Sequence, residues 1–165
     1  MLKVFYQCSI FGIISFAGIK CSVKPKRDYG VEIIVEYGNS YKIDITKQKY
    51  TVFYMGKKPV EAKIALSEEE ERNMINRYYD NKLDKLGEIA VIEDECNVMP
   101  KIYTRVIVKL GKKIQEIQID QSCDRYSLTS KMWASRIKNF LELVQVLILN
   151  KDNIKSIPHS DAGYL

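Results

Sequence analysis

Residues 31–66 read VEIIVEYGNSYKIDITKQKYTVFYMGKKPVEAKIAL, and this stretch decides the fold. Apolar and polar side chains alternate with a period of two, the repeat of strands whose two faces meet different surroundings. Val31, Ile33, Val35 and Tyr37 share one face of a first strand. Gly38-Asn39 interrupts the run with two residues that tolerate positive φ, which predicts a two-residue hairpin turn. Tyr41, Ile43 and Ile45 then alternate with Lys42, Asp44 and Thr46 in a second strand. Tyr50, Val52 and Tyr54 continue the meander, Gly56-Lys57-Lys58 turns it, and Val60, Ala62, Ile64 and Leu66 make a fourth strand.

Outward from this meander the period changes. Ser67-Glu68-Glu69-Glu70 opens a helix: Ser67 can accept from the first free amides, and Glu70, three residues on, completes a capping box. The acidic first turn suits the positive end of the helix dipole, and the run Glu68–Glu71 reads as a solvated helix start and not as a metal or substrate site. Ile75, Tyr79, Leu83 and Leu86, with Tyr78 beside them, form the apolar stripe, and Gly87 is the expected stop.

The second half repeats the plan. Ile89–Ile92 is a brief strand, 93–100 a loop holding Cys96, and Ile102–Leu110 a long strand. Gly111-Lys112 turns it back into Ile114–Ile119. A last helix starts near Thr129 or Ser130 and carries Trp133, Ile137, Phe140, Leu141, Val144, Leu147 and Ile148 at spacings of three and four. Residues 31–46 laid over 104–119 align hairpin on hairpin without a gap. The expected architecture is α+β: an antiparallel sheet of six to seven strands, built from two meander or hairpin units, with two helices packed on one face. Residues 29–150 form its single domain, and 151–165 are a C-terminal tail.

Residues 1–20, MLKVFYQCSIFGIISFAGIK, have the layout of an export signal: one base (Lys3), then an apolar run from Val4 to Ile19. Residues 21–28 follow as a polar tether. Ser15-Phe16-Ala17 offers ordinary cleavage before Gly18. Alternatively Ala17-Gly18-Ile19-Lys20-Cys21 resembles the lipidation site of bacterial lipoproteins, which would make Cys21 an acylated first residue. Lys20 departs from the small residue usual there. The competing reading makes Val4–Ile14 a buried strand of a cytosolic domain. Removal of residues 1–20 takes Lys3 and Lys20 and no acid, so the formal charge falls from +5 to a mild +3. Such a bias gives no argument for nucleic acid, and the bases are scattered over turns and the last helix instead of lining one groove.

Cys96 and Cys123 are then the pair left in the mature domain, both in polar, loop-like surroundings. In an oxidising compartment they are a candidate disulfide that closes a loop of roughly 28 residues and contributes about 3–4 kcal/mol.

The inventory for catalysis is poor, and no catalytic, cofactor-binding or metal-binding residue is nominated. His159 is the one histidine, in a polar, proline-bearing stretch, and its neighbours Ser160 and Asp161 are adjacent in sequence, which is not how a triad assembles. One histidine and two distant cysteines do not make a structural zinc set. Glu93, Asp94, Glu95, Asp120 and Asp124 match no calcium loop. Tyrosine is the compositional excess, 11 of 165 residues. Tyr41, Tyr50 and Tyr54, with Tyr37, are candidate binding-surface aromatics if the helices leave their face open. Alternation sets them beside Ile43, Ile45 and Val52, which favours core filling.

A signal ahead of a small, stiff sheet-and-helix domain is similar in layout to periplasmic immunity proteins, which block a toxin by surface complementarity. The expectation is a non-enzymatic binding or inhibitory protein, exported to the periplasm or anchored on a membrane, with a protein partner. A structural or assembly lipoprotein of the envelope is the alternative, and an enzyme with an unfamiliar site the third reading.

Overall fold

Val31, Ile33, Val35 and Tyr37 are each 9% exposed or less, so strand β1 (Val31–Tyr37) must lie with one face against the core. In the computed structural model, which describes residues 30–162, β1 occupies the centre of the sheet. The expected export signal 1–20, the tether 21–28 and Cys21 lie outside the described residues. On one side of β1 come β2 (Tyr41–Asp44), β3 (Lys49–Val52) and β4 (Val60–Lys63); on the other come β6 (Tyr103–Leu110), β7 (Lys113–Asp120) and β5 (Ile89–Ile92). The order is β4-β3-β2-β1-β6-β7-β5. Every pairing is antiparallel except that of β5 with β7, which is parallel. Its register places Ile92 beside Ile119.

Register explains the faces. Ala90, Ile117, Val106, Val35, Ile43, Tyr50 and Ala62 stand side by side in one row across all seven strands. One residue away, on the opposite face, runs Val91, Gln118, Arg105, Glu36, Lys42, Thr51 and Glu61. In this second row Arg105 meets Glu36 at 3.0 Å and Glu116 at 2.9 Å, and Lys42 meets Glu36 at 3.0 Å. Opposite charges on neighbouring strands of a solvated face add modest, salt-sensitive support.

The apolar row is covered by helices α1 (Glu68–Asp80) and α2 (Leu128–Leu149). Met74, Ile75 and Tyr78 of α1 and Ala134, Ile137, Phe140, Leu141, Val144 and Ile148 of α2 are buried against it. Tyr78 meets Phe140 edge to face at 6.3 Å. The capping box forms as the sequence predicts: Ser67 Oγ accepts from Glu70 N at 3.2 Å, and Glu70 Oε2 accepts from Ser67 N at 2.8 Å. Among the described residues no helix is long and apolar enough to cross a membrane.

Three local expectations change. Tyr37 pairs with Tyr41, so the first turn holds three residues, 38–40, and only Gly38 takes a positive φ, +51°. Helix α1 stops at Asp80 instead of running to Gly87, because Lys82 adopts a left-handed conformation and a short 3-10 turn, Leu83–Lys85, follows. Leu83 still reaches the core. Gln115 secures this break: its Nε2 donates to Leu83 O at 3.1 Å, Leu86 O at 2.7 Å and Gly87 O at 3.3 Å, while its Oε1 accepts from the Tyr78 hydroxyl at 2.5 Å. Helix α2 begins at Leu128, capped by Ser127, whose hydroxyl accepts from Ser130 N.

Beyond α2 the chain stays on the domain. Helix α3 (Asp152–Lys155) buries Ile154, Asn153 Nδ2 donates to Lys63 O at 2.7 Å, and Lys151 Nζ pairs with Glu70 Oε1 at 2.6 Å.

Phe140 is fully buried where both helices meet the sheet, so Phe140→Ala should lower unfolding stability by about 3–5 kcal/mol in urea denaturation. Leu128→Ala, at a side chain 90% exposed, should change it by no more than about 0.5 kcal/mol in the same assay.

Candidate functional site: one end of the sheet

Tyr37 pairs with Tyr41 and Thr104, Tyr41 pairs with Val52, and Tyr103 pairs with Asp120. The end of β1, the start of β2, the end of β3, the start of β6 and the ends of β7 and β5 therefore share one end of the sheet. The loops 38–40, 53–59, 93–102 and 121–127 gather there.

The loop 93–102 is built on two buried carboxylates. Asp94 is 6% exposed; its Oδ1 accepts from Cys96 N at 3.2 Å and its Oδ2 from Cys123 N at 2.8 Å. Beside it the sulfurs of Cys96 and Cys123 lie at disulfide distance, with Cα atoms 6.3 Å apart. Glu95 N donates to Arg125 O at 2.6 Å. Asp120 is completely buried; its Oδ1 accepts from the Ser122 amide and hydroxyl, and Lys101 Nζ stands 3.1 Å from its Oδ2 as counter-charge. Burial alone would push the Asp120 carboxyl up, but the bonds from Ser122 and Lys101 outweigh it and hold the group below the usual carboxylate range. The same contact with Asp120 pushes the Lys101 amine up. The Tyr126 hydroxyl donates to Asp120 O at 2.5 Å, and burial, followed by the charges of Asp124, Asp94 and Asp120, raises it to about 12.

Two of the other acids weighed as cation ligands, Glu93 and Asp124, face lysines: Glu93 lies 3.5 Å from Lys101, and Asp124 pairs with Lys138. One oxygen of Asp94 and the sulfurs of Cys96 and Cys123 lie within 4.8 Å of one another. Each Asp94 oxygen in that set already accepts a backbone amide.

On this stiff base stand apolar side chains. Val98 is 47% exposed, Met99 80% and Ile102 54%. Ile102 also fixes the loop to the first hairpin: its Cγ2 lies 3.3 Å from where a Cβ at Gly38 would sit, and Gly38 N donates to Tyr103 O at 3.0 Å. Any larger residue at 38 would meet both this contact and an unfavourable φ. The arrangement presents an apolar knob on a braced loop.

The tyrosines occupy the helix-covered face of the same end. Tyr37 stacks on Tyr41 with ring centres 4.5 Å apart, and Tyr41 meets Tyr50 at 5.8 Å. Tyr37 and Tyr50 are buried; Tyr41 and Tyr54 are half-buried. The Tyr37 hydroxyl is sealed from solvent without a hydrogen bond, although the Gln145 side chain of α2 faces both it and the Tyr41 hydroxyl. Residues 157–162 close over the tyrosines. The Tyr54 hydroxyl donates to Pro158 O at 2.7 Å, Met55 N donates to Asp161 Oδ1 at 2.7 Å, and Ser160 Oγ donates to Phe53 O. Ser160 and Asp161 are thus committed to main-chain groups of 53–55, while the exposed His159 borders a cavity beside Tyr41 and Tyr50.

Sequence reasoning named Asp94 and Asp120 beside the cysteines, but weighed them as cation ligands and not as the acceptors that hold the loop. The signal was present: in Asp94–Cys96 and Asp120–Ser122 an aspartate precedes by two residues the amide it accepts, the spacing of an Asx turn.

Cys96→Ser with Cys123→Ser should cost about 3–4 kcal/mol in urea denaturation, and reductant should reproduce that loss in the parent chain. Asp120 tests the carboxylate base. A folded-state value below the unfolded one contributes stability that is complete above roughly pH 4 and is lost as pH falls through the depressed value. Asp120→Asn should therefore destabilise the chain at neutral pH, and its stability gap from the parent should narrow on acidification below that point. No protein-family model matches this chain, and no curated protein matches it.

Proposed function

We propose that this chain is an exported, non-catalytic binding protein that engages a protein partner through the braced loop 93–102, and that it neutralises that partner by surface complementarity. One observation carries the reading: a base immobilised by two buried carboxylates and a cysteine pair presents Val98, Met99 and Ile102 to solvent. Exposing apolar side chains on a loop forgoes their burial, and fixing that loop in advance removes the ordering cost that binding would otherwise carry. Methionine is enriched at interface centres because it adapts to irregular partner surfaces. A cysteine pair at disulfide distance is the usual stiffening device of chains that leave the reducing cytoplasm. That supports export, and with it the likeness in layout to periplasmic immunity proteins.

A photo-crosslinking residue placed at Met99 of the full chain, in the producing cell, tests this. One discrete protein adduct is expected at position 99 and none from the same probe at exposed Lys82. Met99→Asp, assayed with the probe at Ile102, should cut the yield about tenfold or more, as for an anchor side chain at an interface centre. No adduct, or equal adducts at 82 and 99, would remove the proposal. An adduct with an envelope component in place of a toxin would transfer the chain to the assembly-lipoprotein alternative.

A further inference from the structure

The loop does not use the cavity beside the tyrosines, and the structure assigns it a ligand class of its own: we propose that it binds a small organic carboxylate with a flat apolar body. The cavity measures about 410 Å³ and lies between Tyr41 and Tyr50 of the sheet, Leu149 at the end of α2, and residues 154–160. That volume is within the range of small-molecule sites.

Its walls divide by chemistry. Leu149, Ile154, Ile157 and Pro158, with the two tyrosine rings, offer apolar and aromatic contact. Three polar side chains of the lining that keep no hydrogen-bond or ion-pair partner among the described residues can donate. Tyr50 is 7% exposed, yet its hydroxyl has no hydrogen-bond partner among the described residues. Burial, then the neighbouring Tyr41 and Tyr54, push that hydroxyl up to about 12, so it stays a proton donor at neutral pH. Lys155 forms no ion pair and His159 no side-chain hydrogen bond among the described residues. Ser160 is already spent, since its hydroxyl donates to Phe53 O and accepts from Ala162 N at 3.0 Å.

No Asp or Glu among the described residues lines the cavity. A phenol, an ammonium and an imidazole, with no carboxylate in the lining, suit a ligand that brings its own acceptors. A carboxylate near Lys155 supplies both the acceptors and the balancing charge. The rings of Tyr41 and Tyr50, tilted by 43° to each other, both line the wall, and an aromatic wall suits a planar apolar body.

Isothermal titration calorimetry of the full chain with 2-naphthoate, and separately with uncharged 2-naphthamide of the same shape, tests the assignment. Naphthoate should bind at one saturable site about tenfold or more tighter than the amide, the scale of one charge-assisted hydrogen bond. Lys155→Gln should bring naphthoate down to the affinity of the amide and leave the amide unchanged. Equal affinity for acid and amide, no saturable binding, or an unaffected Lys155→Gln chain would overturn the proposal. Met99→Ser should leave naphthoate binding intact, so that this site and the docking loop stand or fall separately; weakened binding in that variant would count against this cavity as the site.

Discussion

In the sheet, an apolar row and a mostly polar row run across all seven strands one residue apart, with the charges of the second at its centre. Slipping any central strand by one position would drive Arg105, Glu36 or Lys42 beneath the helices and turn Val35, Ile43 or Val106 outward. Burying an unpaired charge costs several kcal/mol, far more than the ion pairs of the open face return. Register is therefore held by what it keeps out of the core as much as by what it puts in. Because the register is held, the loops at each end arrive at fixed positions relative to one another.

Two polar side chains carry that order past the regular elements. Gln115 reaches from β7 to three carbonyls where α1 gives way to the 3-10 turn, tying the helix layer to the sheet at the point where helical hydrogen bonding fails. Asp120 does the equivalent at the other end of the same strand, collecting Ser122 and Lys101 around a carboxylate with no exposure at all. A buried polar group of this kind is tolerated only when its bonds are satisfied, and satisfied it is rigid. The rigidity of the loop 93–102 descends from a strand residue.

The alternation in residues 31–66 and the three-and-four spacing of 133–148 made the fold class legible, because each period reports directly which face is buried. The capping box was legible for the same reason: its four residues act locally. The break at Lys82 was not, since the stripe Ile75, Tyr79, Leu83, Leu86 continues as if helical; what ends the helix is a left-handed residue at 82, and the turn after it is held by Gln115 from a distant strand. The parallel pairing of β5 was hidden too, because four apolar residues do not state a direction. At the candidate site, the cysteines were visible as a pair, while the exposure of Val98 and Met99 depends on how the loop is seated. The cavity was invisible, for it exists only once residues 154–160 fold against Tyr41 and Tyr50.

The place of β1 has a consequence for how the molecule is made. One neighbour, β2, follows after three residues, but the other, β6, comes from the far half of the chain. As the polypeptide leaves the ribosome, the first meander is complete while the opposite edge of β1 stays bare, and the apolar face beneath it waits for α2, which is made later still. Contacts so distant in sequence form late and slowly. During that interval the nascent chain carries an open strand edge able to template wrong pairings.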